Sequence, residues 1–387
     1  MPTSTGELNI LSISLSDYQE AAARTDQNRR GGIEGLAFPL LGLFGEVGSL
    51  LSALKKKQRD NDSYAGYSET VLEEFGDVLW YFSNIASRVS LRLTDLAGKG
   101  PKSTRDSGRW RRVGVETNKS PEFEGAVIAL AGKVGLFLNE FSIGKIQEDG
   151  VQLSSHLTDI FCAITEAAAI ANIDLQQAAQ KNLCKINSRW PRTREHTPLF
   201  DANFSESEQL PRKIEMHIVE TRVAGRTCVT QLCNGVEIGS RLTDNKTVED
   251  DYRFHDVFHL ANAAVLGWSP CLRALFKVKR KSRPEIDENE DGARAILIEE
   301  GVSTLIFHHA LRLNYFASVK TLDYSLLKTV QDFVNGYEVS RCPLWQWEQA
   351  ILNGFTVFRK LRTHRRGVVT ADLVERTITF RPNPDDR

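Results

Sequence analysis

The sequence predicts a mainly α-helical protein whose C-terminal part is an α+β domain. Apolar residues recur at three- and four-residue steps in two N-terminal stretches, which is typical of amphipathic helices that pack on each other. A second helical block follows, and β-branched residues become dense after residue 211. The two apolar stripes are Leu40, Phe44, Val47, Leu51 and Leu54, then Val71, Phe75, Val78, Phe82 and Ile85.

The bulk composition predicts a cytoplasmic protein of two or three domains. The 387 residues are 26% charged and 41% hydrophobic, with a formal net charge of −1, so neither a nucleic-acid partner nor a membrane partner is expected. No uncharged apolar run reaches the roughly 18 residues that span a bilayer, and the N-terminus does not read as a secretory signal. Six cysteines without a Cys-x-x-Cys pair are typical of reduced thiols.

Three carboxylates lie beside the apolar stripes of the two N-terminal helices. Glu46 borders the first stripe, and Glu74 and Asp77 share one side of the second helix with Tyr81, because residues three and four apart share a helix face. Carboxylates beside an apolar seam are costly unless paired. Mg²⁺ is a suitable partner because it binds oxygen ligands and substrate phosphates. The alternative is that they are ordinary solvated side chains.

Several short motifs surround these carboxylates. They are Asp17-Tyr18-Gln19-Glu20, Glu34-Gly35-Leu36-Ala37, Leu41-Gly42-Leu43-x-Gly45-Glu46-Val47-Gly48 and Glu73-Glu74-Phe75-Gly76-Asp77-Val78-Leu79-Trp80-Tyr81. Together they resemble the MazG-type all-α nucleoside triphosphate pyrophosphohydrolases, whose motif is Glu-x-x-Glu on one helix and Glu-x-x-Asp on the next. The resemblance implies a helical bundle that cleaves a ribo- or deoxyribonucleoside triphosphate into monophosphate and pyrophosphate, in control of the nucleotide pool.

The resemblance also implies roles for individual residues. Glu46, Glu74 and Asp77 would bind Mg²⁺, with Mn²⁺ as an alternative ion, and Glu73 or Glu74 would accept a proton from the attacking water. The second glutamate of the family's first pair is Ser49 in this chain. Glu73, or a water held by Ser49, would then complete the metal site.

Candidate contacts to the nucleotide come from the first two helices and from a basic, aromatic tail that resembles the family's closing motif. For the tail the alternative is a capped helix end with a tryptophan anchored in the core, and for the basic run that begins at Lys55 it is a solvated helix C-terminus. The candidates are Lys55, Trp80, Tyr81, Asn84, Lys185, Asn187, Arg189 and Trp190.

The second helical block, residues 113–192, reads as a degenerate copy of the first. Lys133 and Leu136 stand in place of the first carboxylate pair, His156 replaces a glutamate, and Asp159 remains. Family members dimerise through such hairpins, so a tandem copy would supply the partner within one chain as a pseudo-dimeric bundle. A homo-oligomer is compatible with the same sequence.

The predicted domain order follows from these segments. A MazG-like helical domain with metal carboxylates occupies residues 1–112 and the degenerate repeat residues 113–192. A polar, proline-containing linker at 193–211 leads to an α+β domain at 212–387. Within that domain, residues 277–291 change from basic to acidic, which is typical of an exposed loop.

We recognise no family in the C-terminal domain, but its pattern predicts strands and a second constellation. His255 and His259 lie one helical turn apart, and Glu300 lies on a later apolar helix. Imidazoles and a carboxylate suit Zn²⁺ or another transition metal, whereas paired core histidines or a His–Glu hydrogen-bond network are the alternatives. The predicted strands are residues 214–219, 227–232, 236–240 and, at the C-terminus, residues 368–380.

Two other functions are compatible with the sequence. The incomplete carboxylate motif could belong to a nucleotide-sensing, non-catalytic module that regulates the C-terminal domain, which Ser49 and the degenerate copy favour. In the other, a metal-dependent activity lies in the C-terminal domain and the helical bundle is its scaffold.

Overall fold

The computed structural model describes residues 13–28, 30–99, 121–146 and 151–383. Its contacts divide the chain into two compact units, Met1–Trp190 and Pro191–Arg387, each with its own apolar core. The first unit is helical and the second combines helices with an antiparallel sheet, so the coarse fold class predicted from the sequence is confirmed. The boundary predicted at residues 112 and 113 lies outside the described residues.

The described part of the N-terminal unit consists of helices joined by short turns. The two longest hairpins are α2 with α3 and α5 with α6, and α7 packs on α3. The helices are α1 (Leu15–Thr25), α2 (Ala37–Asp60), α3 (Tyr67–Arg88), α4 (Leu93–Lys99), α5 (Pro121–Ser142), α6 (Val151–Ile170) and α7 (Leu175–Arg189).

The buried face of α2 differs by one position from the predicted stripe. Phe44 is 44% exposed, whereas Leu43 and Leu50 are fully buried. The prediction for Phe44 was wrong because two neighbouring stripes fit the same three- and four-residue steps, and packing on α3 selects the one through Leu43. On α3 the predicted stripe is buried along its whole length: Val71, Phe75, Val78, Phe82 and Ile85.

The two hairpins share one apolar core, with α2 packed on α5. Descent of α5 and α6 from α2 and α3, and with it the pseudo-dimer, stays a prediction. Two helical stretches, Ile33–Ser63 and Pro121–Ser142, are long and apolar enough to cross a membrane by length and composition, a test that core helices also pass. The sequence analysis found none because it required a run without charged residues.

The C-terminal unit combines short helices with a small sheet. Its helices are α8 (Asp256–Leu266), α9 (Pro270–Phe276), α10 (Pro284–Asn289), α11 (Ala293–Leu311), α12 (Tyr324–Phe333) and α13 (Leu344–His364). Its strands are β1 (Lys213–Val223), β2 (Arg226–Cys233), β3 (Val236–Glu237), β4 (Arg366–Asp372) and β5 (Thr377–Arg381).

The strands form one antiparallel sheet in the order β3-β2-β1-β4-β5. Asn234 and Gly235, with φ of 51° and 76°, make the turn between β2 and β3, since this hairpin turn needs two positive φ values. The predicted strand at 368–380 is a hairpin of two strands instead of one. Because β4 pairs with β1, the last strands of the chain complete the sheet that the first strands begin.

Two segments are more deeply packed than the sequence predicted. In the expected linker at 193–211, Asp201 and Leu210 are each 1% exposed and pack within the C-terminal unit. In the expected exposed loop at 277–291, Arg280 is fully buried because its guanidinium binds the buried carboxylate of Asp291 at 2.7 Å. Polar composition suggested exposure, but mutual charge pairing allows these residues to be buried.

Candidate functional site

The carboxylates of Glu46, Glu74 and Asp77 converge between α2 and α3. One oxygen of each lies within 4.8 Å of the others. The register of the helices places them there, since the buried stripes of α2 and α3 pack face to face and leave these side chains along the edge of the seam. The three residues predicted as metal ligands are therefore neighbours in space.

Two glycines permit close packing at this site. A Cβ atom on Gly76 would lie 2.7 Å from the carbonyl oxygen of Ala178 and 3.0 Å from Cβ of Asn182, so α7 approaches α3 more closely than a side chain would allow. A Cβ on Gly42 would lie 2.1 Å from the ring of Tyr81. Glycine at these positions thus brings α7 to the carboxylates and makes room for the tyrosine ring.

Helix α7 supplies an amide and an ammonium group to the cluster. Asn182 Nδ2 donates to Asp77 Oδ1 at 2.6 Å, and Lys185 Nζ lies 2.5 and 2.6 Å from the two oxygens of Asp77. Lys185 also reaches Glu73 Oε1 at 3.4 Å. Sequence reasoning selected Lys185 but missed Asn182, although their three-residue spacing puts both on one face of α7.

The carboxylates raise one another's proton affinity. Burial, followed by the charges of Glu46 and Asp77, raises the pKa of Glu74 to about 8. Burial and the charge of Asp77 raise the pKa of Glu46. Burial raises the pKa of Asp77 as well, although Lys185 and Asn182 act in the opposite direction. Lys185 therefore offsets only part of the negative charge of the ionised cluster, and binding a cation would stabilise it.

The donor set fits Mg²⁺ or Mn²⁺. Carboxylate oxygens are the ligands that such hard ions prefer, and Mg²⁺ commonly takes one or two of them together with water and substrate phosphate. Glu73 is absent from the group of three and contacts Lys185 instead. Ser49 is half-buried on α2 and cannot supply the charge of the glutamate that the resemblance places there. The site therefore rests on three carboxylates.

The aromatic candidates on α3 are near the cluster but partly engaged. Trp80 Nε1 donates to Thr25 Oγ1 at 2.9 Å, and the ring of Tyr81 packs edge-on against Trp80 with centroids 4.9 Å apart. Asn84 is 2% exposed and donates to the carbonyl oxygen of Trp80 within its own helix. Burial, followed by the charges of Glu46 and Asp77, raises the pKa of Tyr81. Of these aromatic side chains, we therefore regard Tyr81 as the one best placed beside the cluster.

The remaining candidates lie at helix ends. Lys55 is exposed in the last turns of α2, and Asn187 is exposed on α7. The guanidinium of Arg189 lies over the ring of Trp190, 4.4 Å from its centroid. Of the basic and aromatic tail, Lys185 contacts the carboxylates of Asp77 and Glu73 directly.

The second predicted constellation also comes together. Nε2 of His259 lies 3.4 Å from Glu300 Oε1, and Nε2 of His255 lies 3.8 Å from Glu300 Oε2. Asp256 and Cys271 belong to the same neighbourhood, and sequence reasoning missed both. Cys271 lies on a different helix, and its spacing from the histidines carries no signal.

Comparison with known proteins places the family in the C-terminal part. Residues 195–384 match the MazG C-terminal domain. The chain is 34% identical over 83 residues to the Gene 37 protein of Mycobacterium phage L5, an alignment that covers 20% of this chain and 73% of that protein. No solved structure matches the chain. The resemblance in residues 1–192 stays a prediction, whereas the domain in which the sequence analysis recognised no family carries the match. The C-terminal part of the chain therefore supports a MazG-like family at a coarse level.

Proposed function

We propose that the chain is a Mg²⁺-dependent nucleoside triphosphate pyrophosphohydrolase whose active site is the carboxylate cluster of Glu46, Glu74 and Asp77. The MazG C-terminal domain supports this assignment at the level of the family. The observation that carries it is the convergence of three half-buried carboxylates within 4.8 Å, with a lysine beside them. Carboxylates with such raised pKa values are typical of functional sites.

The reaction adds water across the bond between the α and β phosphates. Water attacks the α phosphorus, the bond to the bridging oxygen breaks, and pyrophosphate leaves with that electron pair, giving the monophosphate. Mg²⁺ held by the carboxylates would supply charge neutralisation and a more acidic water. Glu73 or Glu74 accepts the proton of that water, since both lie on the same turn of α3 beside the cluster.

Lys185 has a defined role in this scheme. Its ammonium group binds Asp77 at 2.5 Å and Glu73 at 3.4 Å in the described structure. With an ion bound to Asp77, Lys185 would be available to hold a phosphate oxygen of the triphosphate by a charge-assisted hydrogen bond. We assign Tyr81 to the nucleotide side of the cluster because Gly42 leaves room for its ring.

A finer proposal concerns the second hairpin. We propose that α5 and α6 take the place of the partner hairpin of a dimer, in support of which α5 packs directly on α2 in a shared core. The hairpin contributes no carboxylate to the cluster of Glu46, Glu74 and Asp77 among the described residues. It acts as scaffold, and the single site lies on the first hairpin and α7.

A pyrophosphate-release assay tests the proposal. The full chain is incubated with Mg²⁺ and each of the standard and several damaged ribo- and deoxyribonucleoside triphosphates, beside Glu74→Gln and Asp77→Asn variants. Glu69→Gln, which alters an exposed carboxylate on the same helix, is the matched control. We expect pyrophosphate and monophosphate from the parent and the control, and a loss of at least about a hundredfold in the two variants.

The competing function is a nucleotide sensor, and two observations favour it. Ser49 replaces the fourth carboxylate, and Lys185 already neutralises part of the charge of Asp77. A sensor would bind a nucleoside triphosphate with Mg²⁺ and release no pyrophosphate. Nucleotide binding measured by calorimetry, together with the absence of product from every substrate, would overturn the hydrolase and establish the sensor.

A further inference from the structure

A second group of metal-binding side chains lies in the C-terminal unit, and the proposed hydrolysis does not use it. His255 immediately precedes α8, His259 lies on α8, Cys271 on α9 and Glu300 on α11. Donor atoms of His259, Cys271 and Glu300 all lie within 4.8 Å of one another, and so do those of His255, Asp256 and His259. Two sets of three donors therefore overlap at His259.

The distances within this group match the spacing between ligands of one ion. From Glu300, the donor atoms of His259, His255 and Cys271 lie at 3.4, 3.8 and 3.9 Å. Strong N–H···O bonds are shorter, at about 2.7–3.2 Å. Four ligands placed tetrahedrally at about 2.0–2.3 Å from a zinc ion are separated from one another by about 3.3–3.8 Å. Glu300 thus lies at ligand-like distances from three donors, and Cys271 Sγ also donates a hydrogen bond to it.

Nε2 of His259 gives an independent indication of a ligand. His259 is 2% exposed, and both of its ring nitrogens are buried without a well-aligned hydrogen bond among the described residues, with Nδ1 3.1 Å from Glu299 Oε1 and Nε2 3.4 Å from Glu300 Oε1. Buried polar atoms are nearly always satisfied, so an unsatisfied one needs an explanation. Nε2 faces Glu300 and belongs to the group that includes Cys271. An ion at the centre of that group would satisfy it.

Both imidazoles have an oxygen close to their other nitrogen. Nδ1 of His255 lies 2.9 Å from the carbonyl oxygen of Tyr252, and Nδ1 of His259 lies 3.1 Å from Glu299 Oε1. A carbonyl or carboxylate on Nδ1 fixes the tautomer that leaves Nε2 free to bind a metal, which is the usual outer environment of metal-binding histidines. In both residues Nε2 is the nitrogen that faces Glu300.

Three hydrogen bonds hold the carboxylate of Glu299 in position beside His259. It is fully buried, and its carboxylate accepts hydrogen bonds from Asn262 at 3.2 Å, from the hydroxyl of Ser269 at 3.0 Å and from the backbone N–H of Cys271 at 3.0 Å. The hydrogen bond from the backbone of Cys271 means that Glu299, which lies beside His259, is also bound to the residue that carries the thiol. The outer environment therefore organises two different donors at once.

We propose that His255, His259, Cys271 and Glu300 bind one divalent transition-metal ion, with Zn²⁺ as the ion that the donor set favours. Imidazole and thiolate are borderline to soft ligands that select zinc and its neighbours over Mg²⁺. Asp256 lies beside His255 at 3.2 Å and is an additional oxygen donor. The side chain of Glu300 is 41% exposed, so the ion would exchange with solvent from that side.

Metal analysis of the full chain tests the proposal. Protein without a histidine tag is stripped with a chelator and titrated with Co²⁺, a coloured probe for zinc sites, and with Zn²⁺ in competition. We expect one equivalent to bind with a dissociation constant below about 1 μM, with a thiolate-to-cobalt absorption band and no displacement by excess Mg²⁺. Cys271→Ser should remove the band, and His255→Gln and Glu300→Gln should weaken binding at least about tenfold.

Matched controls separate binding from folding and from hydrolysis. Cys184→Ser and His308→Gln alter an exposed thiol and an exposed imidazole away from the group, and both should bind Co²⁺ like the parent. Glu74→Gln should also keep the ion, because the proposal does not depend on the N-terminal site. Glu300→Gln, the most exposed change, keeps the test valid if a buried variant fails to fold. Absence of binding in the folded parent, or binding that survives all three substitutions, would overturn the proposal.

Discussion

The two ionisable clusters of this chain differ in whether neighbouring side chains carry like or opposite charges. The N-terminal cluster contains only carboxylates, and burial with the charges of Glu46 and Asp77 raises the pKa of Glu74 to about 8. The C-terminal cluster alternates imidazole, thiol and carboxylate. There burial acts to raise the pKa of Glu300, but His259 and His255 hold it below its ordinary value. The side chains of the N-terminal cluster carry like charges and repel one another, whereas those of the C-terminal cluster include groups of opposite charge that attract one another.

This difference teaches what each cluster is suited to bind. Self-repelling oxygen ligands gain from a cation, and Lys185 and Asn182 bind Asp77 but not Glu46 or Glu74 in the hydrogen bonds of the described residues. Such a site suits an ion that arrives with a substrate phosphate and leaves with the product. In the C-terminal cluster both imidazoles already have an oxygen close to Nδ1. A preorganised site loses less free energy on binding and suits a resident ion.

The largest expected effect is on hydrolysis when a self-repelling carboxylate is neutralised. Glu46→Gln should lower pyrophosphate release about a thousandfold, because it removes a metal ligand. It should leave the thermal unfolding temperature in metal-free buffer unchanged or higher, since the repulsion is relieved. Activity assays and calorimetry measure the two effects.

Asp26→Asn is the matched contrast, because the carboxylate of Asp26 is paired with Arg88 in a site where both side chains are 7% exposed. Breaking that buried pair should lower the free energy of unfolding by about 3–5 kcal/mol. If Glu46→Gln destabilises the protein as much as Asp26→Asn, then Glu46 is a structural carboxylate and the comparison of the clusters fails.

The next effect concerns the outer environment of the C-terminal cluster. Glu299→Gln should weaken Co²⁺ or Zn²⁺ binding by about 10- to 100-fold, because the amide orients His259 less well than the carboxylate does. Glu348→Gln is the control, since Glu348 is a similarly buried carboxylate that accepts from the backbone N–H of Leu322 at 2.7 Å. Equal metal affinity in the two variants, measured by competition titration, would remove Glu299 from the proposed site.

The proximity of the three N-terminal carboxylates was predictable because their positions obey helical spacing, whereas their role as metal ligands stays a prediction. Glu74 and Asp77 are three apart on one helix, and the apolar stripe of α3 determines which way they face. Asn182 was missed because its proximity to Asp77 depends on Gly76, which lets α7 approach. No pattern within one helix encodes how closely another helix packs on it.

The C-terminal cluster was only half predictable for the same reason. His255, His259 and Glu300 follow from two local patterns, but Cys271 joins them through the packing of α9 on α11. The burial of charged residues could not be predicted from the sequence composition either. The charged run at 277–291 suggested a loop, yet Arg280 is fully buried by its bonds to Asp291, which is close enough in sequence to pair but is not recognisable as a partner from composition.

A third effect is the dependence of stability on pH in metal-free buffer. The pKa of Glu74 is raised from 4.5 to about 8, so the folded state holds its proton more tightly than the unfolded state. That stabilising contribution is fully present below about pH 4.5 and is lost as the pH rises toward 8. Because Glu74 is partly exposed, we expect only roughly 1–2 kcal/mol.

Unfolding at pH 5.5 and 8.5 in chelator measures this effect. Glu74→Gln should reduce the difference between the two pH values, and Mg²⁺ added at pH 8.5 should restore part of the parent's stability. A difference of the same size in parent and variant would show that Glu74 does not titrate as the cluster requires.

The smallest expected effect distinguishes a lysine that binds substrate from one that only balances charge. Lys185→Met removes the ammonium group from Asp77 while keeping the length of the side chain. If Lys185 moves to a phosphate oxygen in the complex, KM for the nucleotide should rise about tenfold, because a charge-assisted hydrogen bond is lost. The Mg²⁺ concentration for half-maximal activity should fall severalfold, since the ion no longer competes with the lysine for Asp77. Lys133→Met, which alters an exposed lysine on α5, should change neither quantity more than about twofold. A lysine with a structural role alone would lower stability and leave KM unchanged, so the two kinetic constants decide between these roles.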